Sequence, residues 1–340
     1  MVFEIGDLRV EPGTTRFGSL VAAQRPAGDL TLPLTVVHGS EPGPTLGITA
    51  GTHGCEYAGV VTCIRLGREL DPKKVRGTLV MVPVVNVPSF NNRIPFVNPI
   101  DGLNVNRVFP GDPYGSISHQ IAHTVFQNVT LRSDAFIDLH SGDMYEAIPL
   151  HTCCNRVGDP ALDAKAEKLA RLFECDLLCI RGKGIDEVAE GDRGQGVVFM
   201  GHRTHVSGSG GASHAGKPTV LIEAGGTGSL DPAVVEMELK GIHNVMRYLG
   251  MLDGKPDEDI PHTVCYGMYF IRSRFGGLFF PDVKPGDFIK KGARLGEMQD
   301  IRGNVLAEFT APIAGVNLMM YTTPVRSSGD ILLILGRTDD

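Results

Sequence analysis

No CxxC pair occurs in this 340-residue chain, and its seven cysteines (Cys55, Cys63, Cys153, Cys154, Cys175, Cys179 and Cys265) are an odd number. That leaves neither a thiolate zinc cluster nor a redox pair to read. Most of these thiols sit in apolar surroundings, where cysteine packs as a small hydrophobe; the adjacent Cys153 and Cys154 are expected to be buried rather than reactive. Runs of lysine or arginine are missing too. With a formal net charge of −7, the chain lacks the electrostatic footprint of a nucleic-acid binder, and no nucleic-acid partner is expected. No uncharged apolar run approaches membrane-spanning length. The opening MVFEIGDLRVEPG carries Glu4 and Asp7 and lacks the basic-then-apolar layout of a signal peptide. The expectations are therefore no membrane partner and a reducing, cytoplasmic location. Repeats at solenoid periods and low-complexity tracts are also absent.

What is present is ordinary globular material, 42% hydrophobic and 21% charged. The length suits one large domain with a small companion. Up to about Val37 the chain reads as short strands punctuated by Pro12, Gly13, Gly18, Pro26 and Gly28. The middle then alternates. TLGITA, TLVMVPVVN, AFIDLH, CDLLCI and TVLIEA are apolar strand runs. Helical spacing follows Glu56, links Ile117, Ile121 and Val125, and starts again at Pro160. A last long helix opens at Asp231 as N-cap, with Pro232 in the first position, and stops at Gly250. Strands that are apolar along their whole length, interleaved with amphipathic helices, predict a mixed, largely parallel α/β sheet covered on both faces. After the polar linker KPDEDIPH the pattern becomes short strands broken by Gly and Pro, a small all-β unit. The expected division is residues 1–255, with 1–37 as a β-rich extension, and residues 263–340.

In such sheets, reactive residues collect at the carboxyl ends of strands. His53 and Glu56 lie three apart in AGTHGCEYAGV, directly after a strand, with Gly51 and Gly54 to turn the chain. A histidine and a glutamate at this spacing arise often by chance. They also supply two donors to a catalytic zinc site, which takes three protein ligands and keeps a position open. His140 ends the strand AFIDLH and could be the third. Glu223 ends TVLIEA, where a carboxylate is costly to bury unless it is paired or functional. It reads either as a structural acid bonded to a neighbouring base or as a general base with a raised pKa. Asn106 and Arg107 stand side by side in GLNVNRVFPGD, and the arginine fork suits a carboxylate. Arg93 precedes them in NNRIPFVNPIDG.

GTHGCE, NVNRVFPG, DLHSG and LIEAGG, in this order, resemble the zinc carboxypeptidase-like superfamily, and within it the succinylglutamate desuccinylase and aspartoacylase branch. The resemblance runs from about Thr31 to Leu252. It implies one zinc ion per chain held by His53, Glu56 and His140, with Glu223 as the base. It further implies that Asn106 and Arg107 hold a substrate carboxylate and that Arg93 polarises the scissile carbonyl. The activity implied is hydrolysis of the amide bond of an N-acyl amino acid or related small molecule. Two other readings are a metallocarboxypeptidase acting on peptides and a non-catalytic metal- or ligand-binding protein on the same scaffold.

The remaining features are weaker. GSGGASHAGKP (208–218) lacks the spacing of a phosphate loop and reads as a mobile loop near the site or a linker. His202 and His205 read as surface histidines or substrate contacts. VKPGDFIKKGARLGEMQD with APIAGV resembles the barrel-sandwich fold of lipoyl and biotinyl carrier domains. The stretch matching their modified hairpin, Asp300 to Asn304, has no lysine. A structural or site-shaping unit is the expectation there, and contacts within a homo-oligomer are open to it.

Overall fold

The computed structural model describes residues 1–182 and 206–338, and a mixed sheet runs through nearly all of it. In chain order its principal strands are β1 (Thr14–Ala23), β2 (Leu30–His38), β3 (Glu41–Thr49), β4 (Arg76–Val82), β5 (Ala135–His140), β6 (His151–Arg156), β7 (Leu177–Gly182), β8 (Thr219–Glu223), β9 (Thr263–Arg272), β10 (Gly315–Tyr321) and β11 (Ile331–Arg337). Across the sheet they lie in the order β10–β11–β9–β7–β6–β8–β5–β3–β4–β2–β1, and two very short strands, Phe288–Ile289 and Glu146–Ala147, pair with β10. Parallel pairing joins β4, β3, β5 and β8 in one block and β6, β7 and β9 in another. The two blocks meet antiparallel at β8 and β6. Both margins are antiparallel, β1 and β2 at one, β11 and β10 at the other.

The apolar strand runs are explained by burial on both faces. In β4, Leu79 and Met81 enter one core while Val80 and Val82 enter the other, the period-two alternation of a strand. Helices α1 (Tyr57–Glu69), α2 (Val87–Asn92), α3 (Ile117–Val125), α4 (Pro160–Ala170), α5 (Gly208–His214) and α6 (Pro232–Tyr248) cover the sheet. Cys63 and Leu66 of α1, Leu169 of α4 and Ile242 of α6 share one core with Leu79, Ile137 and Ile222. Ile121 and Val125 of α3 and Ala212 of α5 share the opposite core with Val80 and Phe136. Each such Leu or Ile contributes roughly 1.5–3 kcal/mol when fully buried.

The second face is divided. Over β6, β7 and β8 it is the C-terminal strands that cover it, with Cys265, Leu318 and Ile334 packed on Cys153, Cys179 and Leu221. The C-terminal segment is all β, and β9 continues the main sheet by pairing with β7. Four more strands, Gly277–Pro281, Arg294–Gln299, Val305–Thr310 and Val325–Arg326, make a separate sheet around Phe279, Leu295, Met298 and Phe309. The turn Asp300–Asn304 is closed on itself by the Asp300 carboxylate, which accepts from the Arg302 and Asn304 amides.

Asp231 caps α6 by accepting from the Ala233 amide, and Gly250 follows the helix with a φ of 75°, as the sequence predicts. Two expectations change. Two of the N-terminal strands, Phe3–Ile5 and Leu8–Val10, are short as expected, but β1 and β2 are long, with Gly18 inside β1 rather than ending it. The 208–218 stretch, read as loop or linker, holds α5. Its three glycines give it poor intrinsic helicity, but Gly208 through Ser213 are all buried, and packing supplies what propensity does not. No described helix is long and apolar enough to cross a membrane.

Candidate metal centre and cavity

The chain leaves β3 at Thr49 and turns through Gly51, whose φ of 60° suits glycine. Gly54 lies against the backbone of α2, where a Cβ would collide with the Phe90 amide and Ser89. This turn delivers Glu56 to the N-cap of α1, yet its side chain makes no cap hydrogen bond. It points to the histidines instead.

His53 Nδ1 lies 2.7 Å from Glu56 Oε1, and His140 Nδ1 lies 2.8 Å from Glu56 Oε2. The three residues are 8%, 3% and 3% exposed for His53, Glu56 and His140. One potential ligand atom from each falls within 4.8 Å of the others. Despite its short contact with His140, Glu56 Oε2 has no hydrogen bond of proper geometry, as expected where lone pairs converge on a common point. The far nitrogens are held from behind. Asn104 Oδ1 is 3.3 Å from His53 Nε2, and Asp138 Oδ1 is 3.5 Å from His140 Nε2. Two imidazoles, each backed by a polar partner, and a carboxylate between them are the donor types of an open divalent-metal site. The residues present fit a divalent cation.

Electrostatics agree. Burial presses both histidines toward neutrality, and Glu56 between them reverses this, so both lie above the ordinary value. Burial likewise opposes the charge on Glu56, but the histidines win and hold its pKa at about 2. A metal ion would take the place of the histidine protons at the same atoms, with the Glu56 carboxylate already ionised.

Beside the cluster opens a cavity of about 270 Å³ lined by His53, Glu56, Asn106, Arg107 and Glu223 among others. Glu223 is the register partner of His140 on β5 and of His151 on β6. Its carboxylate has no protein partner among the described residues, and burial pushes its pKa up to about 8 against the pull of His140. Asn106 is pinned between the His140 ring, 3.5 Å away, and the Gly208 amide, which donates to its Oδ1 at 2.9 Å. Arg107 donates to the Asn106 carbonyl at 2.8 Å.

Six of the seven site residues predicted from sequence are thus brought together. Arg93 is not. It is the left-handed residue that ends α2, exposed, and outside the cavity lining. His202 and His205 lie outside the described residues. The sequence reading missed Asn104, Asp138, Glu146, His151 and Arg181. Asp138 was findable, as an acid two residues before His140 in an otherwise apolar strand, hence on the same face. Nothing local marks Glu146, His151 or Arg181, whose places in the cavity depend on strand order. The C-terminal strands also supply wall: Met268, Phe270, Leu318 and Tyr321 line it.

A model of the succinylglutamate desuccinylase/aspartoacylase catalytic domain matches residues 42–249. The chain is 29% identical to the N-alpha-acetyl-L-2,4-diaminobutyric acid deacetylase of Halomonas elongata over 91% of its own length and 86% of the relative's. Among solved structures it is similar to the product-bound ectoine utilization protein of Ruegeria pomeroyi, with a TM-score of 0.81, 25% identity and 98% of each chain covered. It shares its fold with a succinylglutamate desuccinylase/aspartoacylase from Rhodobacter sphaeroides, at a TM-score of 0.81, 23% identity and 96% of each chain. With the candidate ligand cluster, the cavity beside it and a family match over residues 42–249, the chain belongs to the succinylglutamate desuccinylase/aspartoacylase family.

Proposed function

We propose that this protein is a zinc-dependent hydrolase that cleaves the amide bond of an N-acyl amino acid or a closely related small molecule. The observation that carries this reading is the buried His53–Glu56–His140 cluster opening onto a cavity with Glu223 in register beside it. A divalent cation at the cluster would supply Lewis acidity, polarising an acyl carbonyl and acidifying water.

The chain's own residues supply the rest. Glu223 serves as general base and then general acid. A carboxyl group near neutrality can take a proton from water and return it to the departing amine. Arg107 offers its fork to a carboxylate of the substrate, with Asn106 holding the loop beneath it. Burial of the cluster and the apolar C-terminal wall exclude bulk water, which strengthens each of these interactions. The cavity suits a small molecule better than a peptide. In this reading residues 1–255 carry the chemistry and residues 263–340 wall the substrate. A role for Arg93 at the scissile carbonyl rests on the sequence match alone.

The test is elemental analysis of the purified protein together with a screen of N-acyl amino acids for amine release, with and without chelator. About one zinc per chain and chelator-sensitive release are expected. No bound metal, and no release after metal is restored, would overturn the reading.

A further inference from the structure

A second cavity, of about 350 Å³, adjoins the first and shares Tyr321 and Ile331 with it. It lies where three strands of the antiparallel margin end or begin. Arg272 closes β9, Tyr321 closes β10, and Asp330 directly precedes β11. Arg326, from the short strand Val325–Arg326, completes the lining with Tyr145 and Thr323. Two guanidiniums thus share one cavity. Arg272 donates to the Gly329 carbonyl at 2.7 Å, and Arg326 donates to the Val325 carbonyl at 2.5 Å and the Thr323 hydroxyl at 3.3 Å. These acceptors are neutral, and no carboxylate lies within ion-pair distance of either arginine among the described residues. Arg326 is 7% exposed, and its Nε has no hydrogen-bond partner. A charge withdrawn this far from water with only neutral partners is costly, and an anion bound in the cavity would offset that cost.

The lining also distinguishes between anions. Two guanidiniums with the hydroxyls of Tyr145, Tyr321 and Thr323 offer more donors than the two oxygens of a carboxylate can use. Asp330 stands among them, its Oδ2 taken by the Ser327 amide at 2.7 Å and its Oδ1 open to a donor. It repels a fully ionised anion but accepts a hydrogen bond from one that keeps a proton. A phosphate group keeps one near neutral pH, and sulfate does not. We propose that this cavity is a phosphate-binding site, separate from the metal centre, in which Arg272 and Arg326 hold the ionised oxygens and Asp330 accepts from the protonated one. It goes beyond the hydrolase reading and does not depend on it. The phosphate is either the free ion or the end of a small monoester.

Calorimetry on the purified protein tests this with inorganic phosphate, glycerol 3-phosphate and sulfate, at about pH 6, where a monoester is half protonated. The parent should bind one of the two phosphates with a Kd of about 1 mM or below, and sulfate about tenfold or more weakly than that. Tighter binding of glycerol 3-phosphate marks the monoester as the ligand, and tighter binding of inorganic phosphate marks the free ion. R326M should weaken the favoured phosphate about tenfold or more, and R272Q decides in its place if R326M does not fold. D330N should bring sulfate to within about threefold of phosphate, a change that a merely structural carboxylate would not produce. H53A, which removes a ligand of the metal centre, should bind phosphate as the parent does. Absence of phosphate binding, equal binding of sulfate by the parent, or unchanged binding in the arginine variants would overturn the proposal. So would a D330N protein that still rejects sulfate, or a loss confined to H53A.

Discussion

Glu223 and His140 face each other across two parallel strands, the last residue of β8 opposite the last residue of β5. One is the base of the proposed reaction and the other a proposed metal ligand. Their relation is set by backbone hydrogen bonds of the sheet rather than by a mobile loop, so it is rigid before any substrate arrives.

From that relation comes the first expectation. E223Q keeps the shape of the carboxyl group but cannot take a proton. Turnover should fall by about 100-fold or more, with zinc content per chain unchanged. Loss of zinc together with activity would make Glu223 a structural element of the centre instead.

Asp138 is 1% exposed. It accepts from the Thr49 hydroxyl at 2.8 Å and the Ser209 amide at 2.9 Å while backing the His140 ring. It therefore ties β3, α5 and a proposed metal ligand together. D138N should weaken zinc binding about 10- to 100-fold, measured by competition with a chromogenic chelator. Unchanged affinity would reduce its role to that of a structural bridge.

Zinc that binds the folded chain and not the unfolded one raises its stability, by about 2.7 kcal/mol at a free concentration 100 times Kd. H53A should remove most of this increment, so that its melting temperature no longer responds to added zinc. A full response in H53A would place the ion elsewhere.

A pH effect is expected far from the cavity. Glu238 of α6 is fully buried, with the Thr62 hydroxyl donating to one oxygen at 2.5 Å and the other oxygen unpartnered. Burial pushes its pKa from 4.5 up to about 8, partly opposed by that hydrogen bond. Between those values the folded state binds a proton that the unfolded state has released. Its stabilising contribution is therefore complete below about pH 4.5 and is lost as pH rises toward 8, by up to about 1.4 kcal/mol per pH unit. Glutamine carries no charge at any pH, so urea unfolding of E238Q should show a shallower decline from pH 5 to 8 than the parent. Parallel curves would mean that Glu238 ionises in the fold without penalty.

Tyr321 of β10 lines the cavity from the C-terminal strands, with the Arg326 guanidinium 4.7 Å above its ring. Y321A should raise KM several-fold without changing metal content. An unchanged KM would mean that the C-terminal strands only support the sheet.

Much of this site is already legible in the chain. His53 and Glu56 follow a strand within one glycine turn, His140 and Glu223 each close an apolar strand, and Asn106 and Arg107 are neighbours. These are local relations, and the side-chain period of a strand with the habit of parallel sheets to gather function at carboxyl ends turns them into a site. Long-range relations read differently. α5 was hidden because three glycines mask a helix that burial stabilises. Arg93 and Arg107 both read as loop residues, and only the fold leaves the first outside the cavity lining while placing the second on the cavity wall. Arg181, His151 and Glu146 carry no local mark, since their meeting in one cavity depends on the antiparallel junction of β6 with β8 and on C-terminal strands folding back over that face. The sequence by itself determined which residues could bind a metal and which segments would be buried. Tertiary structure decided which charges share the cavity, because strand order and the covering of the second face are set by contacts between residues far apart in the chain.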